Sequence, residues 1–331
     1  MSLKNTAFNL GLAVATSLFA MGASAQTMST SATANSGTTQ TSDDRTESGT
    51  ASARASSATN WSNLHLNATV TSSAAGTAGA GRVGTYAQTT ANTFTSWVSQ
   101  FGVSGHGYTY ARAEMSDSFV IAAGSCLTCT LGSTGTMTFA VRTDGSMGGN
   151  GLFSTTGSYG LANWSVGGNW NASGGLSTVS GGSGANVATF SASGSMYRFS
   201  DGRTSENGSF GQIFRTVSFV FGGTNELRLF SDATADAQAA VWAFGSGSSA
   251  SSDASMTTDF SHTLAWDGIT EVKDSAGNVI TGFTALSSAS KFDYAKAYVS
   301  TVPEPETYAM LLAGLGLIGN IARRRRSAAR A

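Results

Sequence analysis

Charged, cross-linking and rigid residues are scarce in this chain of 331 residues. Only 11% of the residues are charged, and there are two prolines, two cysteines and three histidines. A soluble domain usually has about 25% charged residues. The 18 basic and 19 acidic residues nearly cancel, so there is no excess of positive charge to attract nucleic acid. We predict no nucleic-acid partner, no metal ion and no cofactor.

Catalytic motifs are also missing. The sequence has no Gly-x-Ser-x-Gly elbow, no His-Glu-x-x-His pair and no P-loop. Ser104 and His106 fit a glycine-rich turn better than a hydrolase triad, because no signature positions them. The alternative is a secreted carbohydrate-active enzyme or a glycan-binding module. The enzyme would use acids that otherwise belong to a solvated face: Glu114, Asp117, Glu206, Glu226 and Glu271. We predict a noncatalytic protein.

What the chain does have is glycine, with 41 residues, and an alternation of apolar and polar side chains. The alternation has a period of two, which predicts half-buried strands, at 64–70, 108–115, 118–122, 135–141, 187–190, 213–221, 225–230, 237–244, 259–266 and 278–283. We predict an all-β fold, a single antiparallel β-sandwich or jelly roll over residues 60–300. A β-helix is the rival, but no repeat period is sustained. Three Gly/Ser stretches are predicted loops: 145–151, 180–184 and 245–252.

Residues 26–59 are rich in serine and threonine and contain almost no large apolar side chain. Such a segment buries too little surface to offset the entropy of ordering. We predict a flexible spacer. The same composition suits O-glycosylation, which the sequence leaves open.

The N-terminus has the pattern of an export signal. Lys4 precedes an apolar run over 8–21, and Ala23-Ser24-Ala25 offers the small-x-small site of signal peptidase. We predict that residues 1–25 are removed.

The C-terminus has three parts. Pro303-Glu304-Pro305 contains both prolines of the chain and favours an extended segment. An apolar run over 308–321 follows, about 21 Å long as a helix and so marginal for crossing a membrane. The basic cluster Arg323, Arg324, Arg325 and Arg326 then fixes this end on the cytoplasmic side.

This tail resembles the PEP-CTERM sorting signal of exported Gram-negative proteins, over Val302-Pro-Glu-Pro-Glu-Thr-Tyr-Ala-Met-Leu-Leu-Ala-Gly-Leu-Gly-Leu-Ile-Gly319. The polar Asn320 departs from the pattern. The resemblance implies cleavage near Pro-Glu-Pro by a membrane-embedded exosortase, and an association with exopolysaccharide and biofilm systems. An anchor that is never cut would explain the apolar run and the arginines, but not the Pro-Glu-Pro.

Cleavage at both ends has a consequence for charge and location. It removes six of the 18 bases and two of the 19 acids, which leaves a body with a net charge of about −5. We expect an inner-membrane-anchored precursor, then a protein of the cell surface or matrix. A looser resemblance to passenger domains of the same family covers roughly 120–300. It rests on the segment 259–283 and on Asp293-Tyr294, and it implies a β-sandwich of unassigned biochemistry.

Cys126 and Cys129 form the only cysteine pair. In an exported protein a disulfide is the default state, and the pair must lie on a turn to bring its Cα atoms within bonding range. Zinc would need two more ligands, and a redox site would need a helix N-terminus. We predict a structural disulfide and keep both alternatives.

Four tryptophans lie among small polar residues: Trp61, Trp97, Trp164 and Trp170. They could stack on sugars, although tryptophan in a sandwich more often fills the core. We therefore predict a structural or adhesive protein of the cell surface or exopolysaccharide matrix, with glycans or other matrix proteins as partners.

Overall fold

A computed structural model describes residues 27–36, 39–47, 51–62, 66–96, 102–123, 126, 129–157, 160–180, 184–244 and 247–299. The all-β prediction is confirmed. Fifteen strands lie in these residues: β1 Thr27–Ser36, β2 Thr39–Glu47, β3 Ala51–Ser62, β4 Leu66–Gly79, β5 Arg82–Ser96, β6 Gly102–Ala123, β7 Thr134–Thr143, β8 Ser146–Thr156, β9 Gly160–Ser180, β10 Gly184–Phe199, β11 Thr204–Gly208, β12 Gly211–Val220, β13 Thr224–Ala243, β14 Ser249–Asp274 and β15 Phe283–Ser287. The compact unit that contains them ends at Tyr298.

The strands form two antiparallel sheets. Sheet A has the order β11-β10-β9-β13-β6-β1-β2, with β15 paired to the end of β6. Sheet B has the order β12-β7-β14-β5-β4-β3, with β8 paired to β14. The sheets lie face to face, as in a β-sandwich, with β5 and β14 of sheet B against β6 and β13 of sheet A.

One half of the interior is filled by unusually small side chains. The inward positions of β13 include Ala233, Ala235, Ala237 and Ala239, all fully buried. Gly107 of β6 lies so close to sheet B that an added Cβ would be 2.1 Å from Thr89 Oγ1. The sheets can approach this closely only because alanine, glycine and threonine face one another across the interior.

The other half of the interior is aromatic. Trp170 stacks on Phe260 with ring centroids 4.3 Å apart, and its Nε1 donates to Ser231 Oγ over 3.0 Å. Phe139 stacks on Trp266 at 5.1 Å. Large rings here and alanines in the other half make the sandwich thicker in one half than in the other, since side-chain volume sets sheet separation.

Two of the predicted loops contain strand. Strand β8 covers 146–156 and takes in most of 145–151, and β14 begins at Ser249 and takes in the second half of 245–252. Strands β7 and β8 follow each other along β14, and Asp144 and Gly145 separate them. A Cβ on Gly145 would lie 2.1 Å from the Phe260 ring. The glycines here make room for core rings and neighbouring backbone, which is why a composition typical of loops forms strand.

The predicted spacer over 26–59 is corrected by strands β1, β2 and β3. Strand β1 pairs with β6 and β2, and β3 pairs with β4. Ala53 and Ala55 point inward and pack with Ala74 and Ala111. In the thin half of the sandwich an alanine is large enough to fill the interior, and the ladder hydrogen bonds offset part of the ordering entropy.

Side chains of one sheet reach the free edges of the other. The carboxylate of Asp43 in β2 accepts a hydrogen bond of 3.2 Å from the backbone N–H of Arg54 in β3. At the opposite side, the Thr178 hydroxyl of β9 and the Asn186 amide of β10 donate to the carbonyl of Ser218 in β12. These bonds satisfy polar groups at the sheet edges, which otherwise attract further strands.

The closing segment, residues 283–298, returns the chain to the core. Tyr294 is fully buried, stacks on Phe119 at 4.8 Å and accepts a bond from Trp266 Nε1 with its carbonyl oxygen. Tyr298 N–H donates to the Trp266 carbonyl over 2.7 Å. The predicted strand over 278–283 is instead irregular, with an isolated bridge between Val279 and Lys273, and only Phe283 belongs to a strand, β15. Within the described ranges we find no helix with the length and hydrophobicity needed to cross a membrane.

Candidate functional site

The outer face of sheet A carries a groove of about 700 Å³. Its floor is β9 at Gly175, whose missing side chain leaves a trough between β13 and β10. Side chains of three strands form its walls: Arg112 and Glu114 of β6, Glu226, Arg228 and Phe230 of β13, and Val187 and Thr189 of β10. An added Cβ on Gly175 would meet only ordinary contacts, the nearest at 3.4 Å, so the groove exists because this position has no side chain.

Two ion pairs line the groove. Arg228 contacts Glu226 Oε1 through Nε at 2.9 Å and Nη2 at 2.7 Å, and Arg112 Nη2 lies 3.2 Å from Glu114 Oε2. The Arg112 guanidinium also lies over the Phe230 ring, 4.6 Å from its centroid. The groove therefore presents hydrogen-bond donors, acceptors and an aromatic ring with little net charge.

Glu114 and Glu226 are two of the candidate acids for glycoside cleavage, and the fold brings both to this groove. Glu114 lies opposite Phe230 in the pairing of β6 with β13, four residues from Glu226. That offset separates the two positions by about 13 Å along the strands. Cleavage uses carboxyl groups about 5 to 9.5 Å apart, and here each carboxylate is held by the arginine two residues away.

The other acids lie elsewhere. Glu206 is exposed on β11 and 3.9 Å from Arg198, and Glu271 pairs with Lys273 at 2.7 Å. Asp117 is 1% exposed and faces the interior. None of these three reaches the groove, so the fold does not gather the candidate acids into one site.

Asp117 instead fastens the closing segment to β6. Its Oδ1 accepts hydrogen bonds of 2.8 Å from Ser118 N–H and from Ser287 Oγ. Its Oδ2 accepts bonds from Ser290 Oγ at 2.6 Å and from Tyr294 Oη at 2.7 Å. Burial and the nearby Asp117 charge raise the pKa of Tyr294 far above its usual value, so this hydroxyl stays protonated as a donor. The carboxylate has a structural role.

His106 pairs with Asp236 on the same outer face, with Nε2 and Oδ2 2.7 Å apart. This hydrogen bond raises the pKa of His106, partial burial opposes the increase, and the Asp236 charge adds to it. His106 lies in strand β6, not in the predicted glycine-rich turn. Ser104 occupies the next outward position of β6, and the structure gives no hydrogen bond between these two described side chains.

The predicted tryptophan platforms are largely core residues. Trp170 is fully buried, and the half-buried Trp164 packs on the main core across Gly151. Trp97 and the side chain of Trp61 lie outside the described residues. Sequence reasoning missed Trp242, which is 36% exposed on the outer face of sheet A, and Tyr197, which is 37% exposed on the same face. The alternation of β13 and β10 gives the signal that could have found them, because it places both Trp242 and Tyr197 at outward positions.

Cys126 and Cys129 form a disulfide with Cα atoms 5.3 Å apart. The pair packs against the core in the connection from β6 to β7, where Gly132 N–H donates to the Phe221 carbonyl. Among the described residues there is no group of histidine, cysteine and acidic side chains that could hold a metal ion.

The signal residues Ala23, Ala25, Pro303, Glu304, Pro305 and Arg323 to Arg326 lie outside the described residues. Residues 301–326 match the family model of the PEP-CTERM protein-sorting motif. The chain therefore carries the C-terminal signal of proteins that exosortase sorts. This motif implies export and a membrane-anchored precursor that exosortase processes. The chain matches no curated protein and no solved structure.

Proposed function

We propose that this exosortase substrate is a noncatalytic, glycan-binding protein of the cell surface or exopolysaccharide matrix, and that the groove over Gly175 holds the glycan. A sugar needs both donors and acceptors for its hydroxyls, together with an apolar surface for its ring. The groove combines two arginines, two glutamates and Phe230 in this way. This combination is the observation that carries the proposal.

The spacing of the acids favours binding over cleavage. Glu114 and Glu226 are each engaged by an arginine of their own strand, and their positions are offset by four residues along the strands, so neither carboxylate is a free acid or base poised beside the other. A carbohydrate-active enzyme is the second candidate, because both acids line one groove with an aromatic ring. Release of reducing sugar during the binding assay would favour it.

Gly175→Trp is expected to abolish glycan binding. The substitution has room at its Cβ, so the fold is retained while the indole fills the trough. Binding of the exported protein would be measured by isothermal titration against a polysaccharide panel. We expect at least a tenfold loss of affinity, about 1.4 kcal/mol or more.

Gly148→Trp is the matched control. Gly148 lies in β8 of sheet B and has no atom within 4 Å of its added Cβ. It should bind glycan like the unchanged protein. Equal binding by Gly175→Trp would remove the groove from the proposal, and an absence of binding to every polysaccharide by the unchanged protein would remove the function.

Replacement of Pro303-Glu304-Pro305 by alanines should retain the full-length protein in the membrane. The two prolines favour an extended segment that a processing enzyme can bind, and alanines allow the apolar helix to continue through it. Intact-mass spectra of membrane and exported fractions would measure this, with Glu306→Ala as the control. Exported protein that still carries Arg330 would contradict the sorting account.

A further inference from the structure

Two exposed aromatic rings on the outer face of sheet A lie over glycines. An added Cβ on Gly102 of β6 would be 2.1 Å from both Cδ1 and Nε1 of Trp242 in the adjacent strand β13. An added Cβ on Gly167 of β9 would be 2.8 Å from Cε1 of Tyr197 in β10. Neither glycine has a positive φ, so the turn chemistry of glycine does not explain them.

The absence of a side chain at these positions lets each ring lie across the neighbouring strand. The Tyr197 hydroxyl donates to Asn169 Oδ1 over 2.8 Å, which fixes the orientation of its ring. Trp242 lies opposite Leu161 in the pairing of β13 with β9, and Leu161 is 61% exposed. The result is two flat apolar surfaces that are held in place before any ligand binds, which lowers the entropic cost of binding.

The registers also give the spacing of the rings. Tyr197 lies opposite Gly167, and Gly167 lies opposite Asp236. Asp236 is six residues before Trp242 in β13, so the rings are about 20 Å apart along the strand direction. A monosaccharide cannot reach both rings, whereas a polymer chain can.

The charges on this face argue against an ionic polymer. The groove arginines are paired with Glu226 and Glu114, and His106 is paired with Asp236. Asp232 accepts a hydrogen bond from the Asn171 amide. Both groove guanidinium groups already have a glutamate partner. A carboxylate of an anionic polymer would have to displace that glutamate, so the groove has little attraction for an anionic chain.

We propose that the ligand is a neutral polysaccharide whose sugar rings expose flat C–H faces, as β-linked hexoses with equatorial hydroxyls do, and that Trp242 and Tyr197 stack on separate rings of one chain. This inference rests on the proposed glycan-binding function and names the ligand class. The flat faces of such sugars match the two exposed rings, and the groove binds hydroxyls of the same chain.

The test is a pull-down and titration of the exported protein with an insoluble β-glucan, its soluble oligomers of increasing length, an α-glucan and a polyuronate. Affinity should rise with oligomer length and favour the β-glucan. Trp242→Ala and Tyr197→Ala should each weaken binding to the polymer about tenfold. Phe94→Ala, at an exposed aromatic position on the outer face of sheet B, and Tyr86→Ala, at a half-buried one on the same face, are the controls and should leave binding unchanged.

The outcomes separate this inference from the proposed function. If Gly175→Trp abolishes binding while Trp242→Ala and Tyr197→Ala do not, the groove stands and the stacking inference is overturned. Preference for polyuronate, or affinity that is independent of chain length, overturns it as well. Dimers that Trp242→Ala dissociates in analytical ultracentrifugation would assign the exposed rings to a second copy of the chain and overturn it.

Discussion

Asp117→Ala should destabilise the protein by about 3 to 5 kcal/mol, because it removes a buried acceptor that four donors share. The substitution leaves the hydroxyls of Ser287, Ser290 and Tyr294 without their acceptor in the interior. It also releases the closing segment from β6, since these bonds join residues 170 to 177 positions apart. The midpoint of thermal unfolding should fall by on the order of 10 °C.

Two further variants make this prediction specific. Asp253→Ala removes an exposed carboxylate from β14 and should change stability by less than about 0.5 kcal/mol. Tyr294→Phe removes one donor and should cost about 1 to 2 kcal/mol. Because both partners act in one network, the double variant with Asp117→Ala should be less damaging than the sum of the two. Additive losses would refute the shared network.

Gly107→Val should prevent the sandwich from closing in its thin half. The new Cβ would stand 2.1 Å from Thr89 Oγ1 and 2.8 Å from Val70 Cγ1, so the sheets would have to separate. Overpacking of this kind costs about 1 to 3 kcal/mol when the core can adjust, and more where two sheets meet. We expect a loss of at least about 3 kcal/mol in denaturant unfolding, or insoluble protein.

The same substitution at Gly148 is the control, because it adds a β-branched side chain to a strand with open space. It should be neutral or slightly stabilising. If the variant at position 107 does not fold, the smaller Gly107→Ala serves instead. Thr89→Ala removes the nearest contact and should partly rescue Gly107→Ala. No rescue would show that Thr89 is not what limits the approach of the sheets.

The sequence predicts the fold class well but misses strands whose apolar side chains are alanines. The run Ala51-Ser-Ala53-Arg-Ala55 alternates between small apolar and polar residues, as a half-buried strand does. Its composition nevertheless predicts a spacer, because its apolar side chains are small. These small side chains fill the interior only because the two sheets lie close together at Ala111. Ala111 is far away in sequence, so the local pattern does not reveal this.

The candidate site was predictable only in part. Arg112 and Glu114 alternate on one strand, as do Glu226 and Arg228, so each ion pair could have been found from local spacing. Their meeting in one groove depends on the pairing of β6 with β13, which period-two patterns do not specify. The prediction of a solvated face is wrong for Asp117, which shares the alternation phase of Met115 and Phe119 and is buried with them.

The hydrogen bonds of Asp117 to the closing segment also affect the order in which the chain folds. Its partners lie between Ser287 and Tyr294, only a few residues before the sorting motif at 301–326. A chain delivered N-terminus first can assemble most of both sheets early, but the carboxylate of Asp117 remains uncompensated until those last residues arrive. Contacts this distant in sequence form slowly. We therefore expect the body to complete its folding last at the end next to the sorting motif.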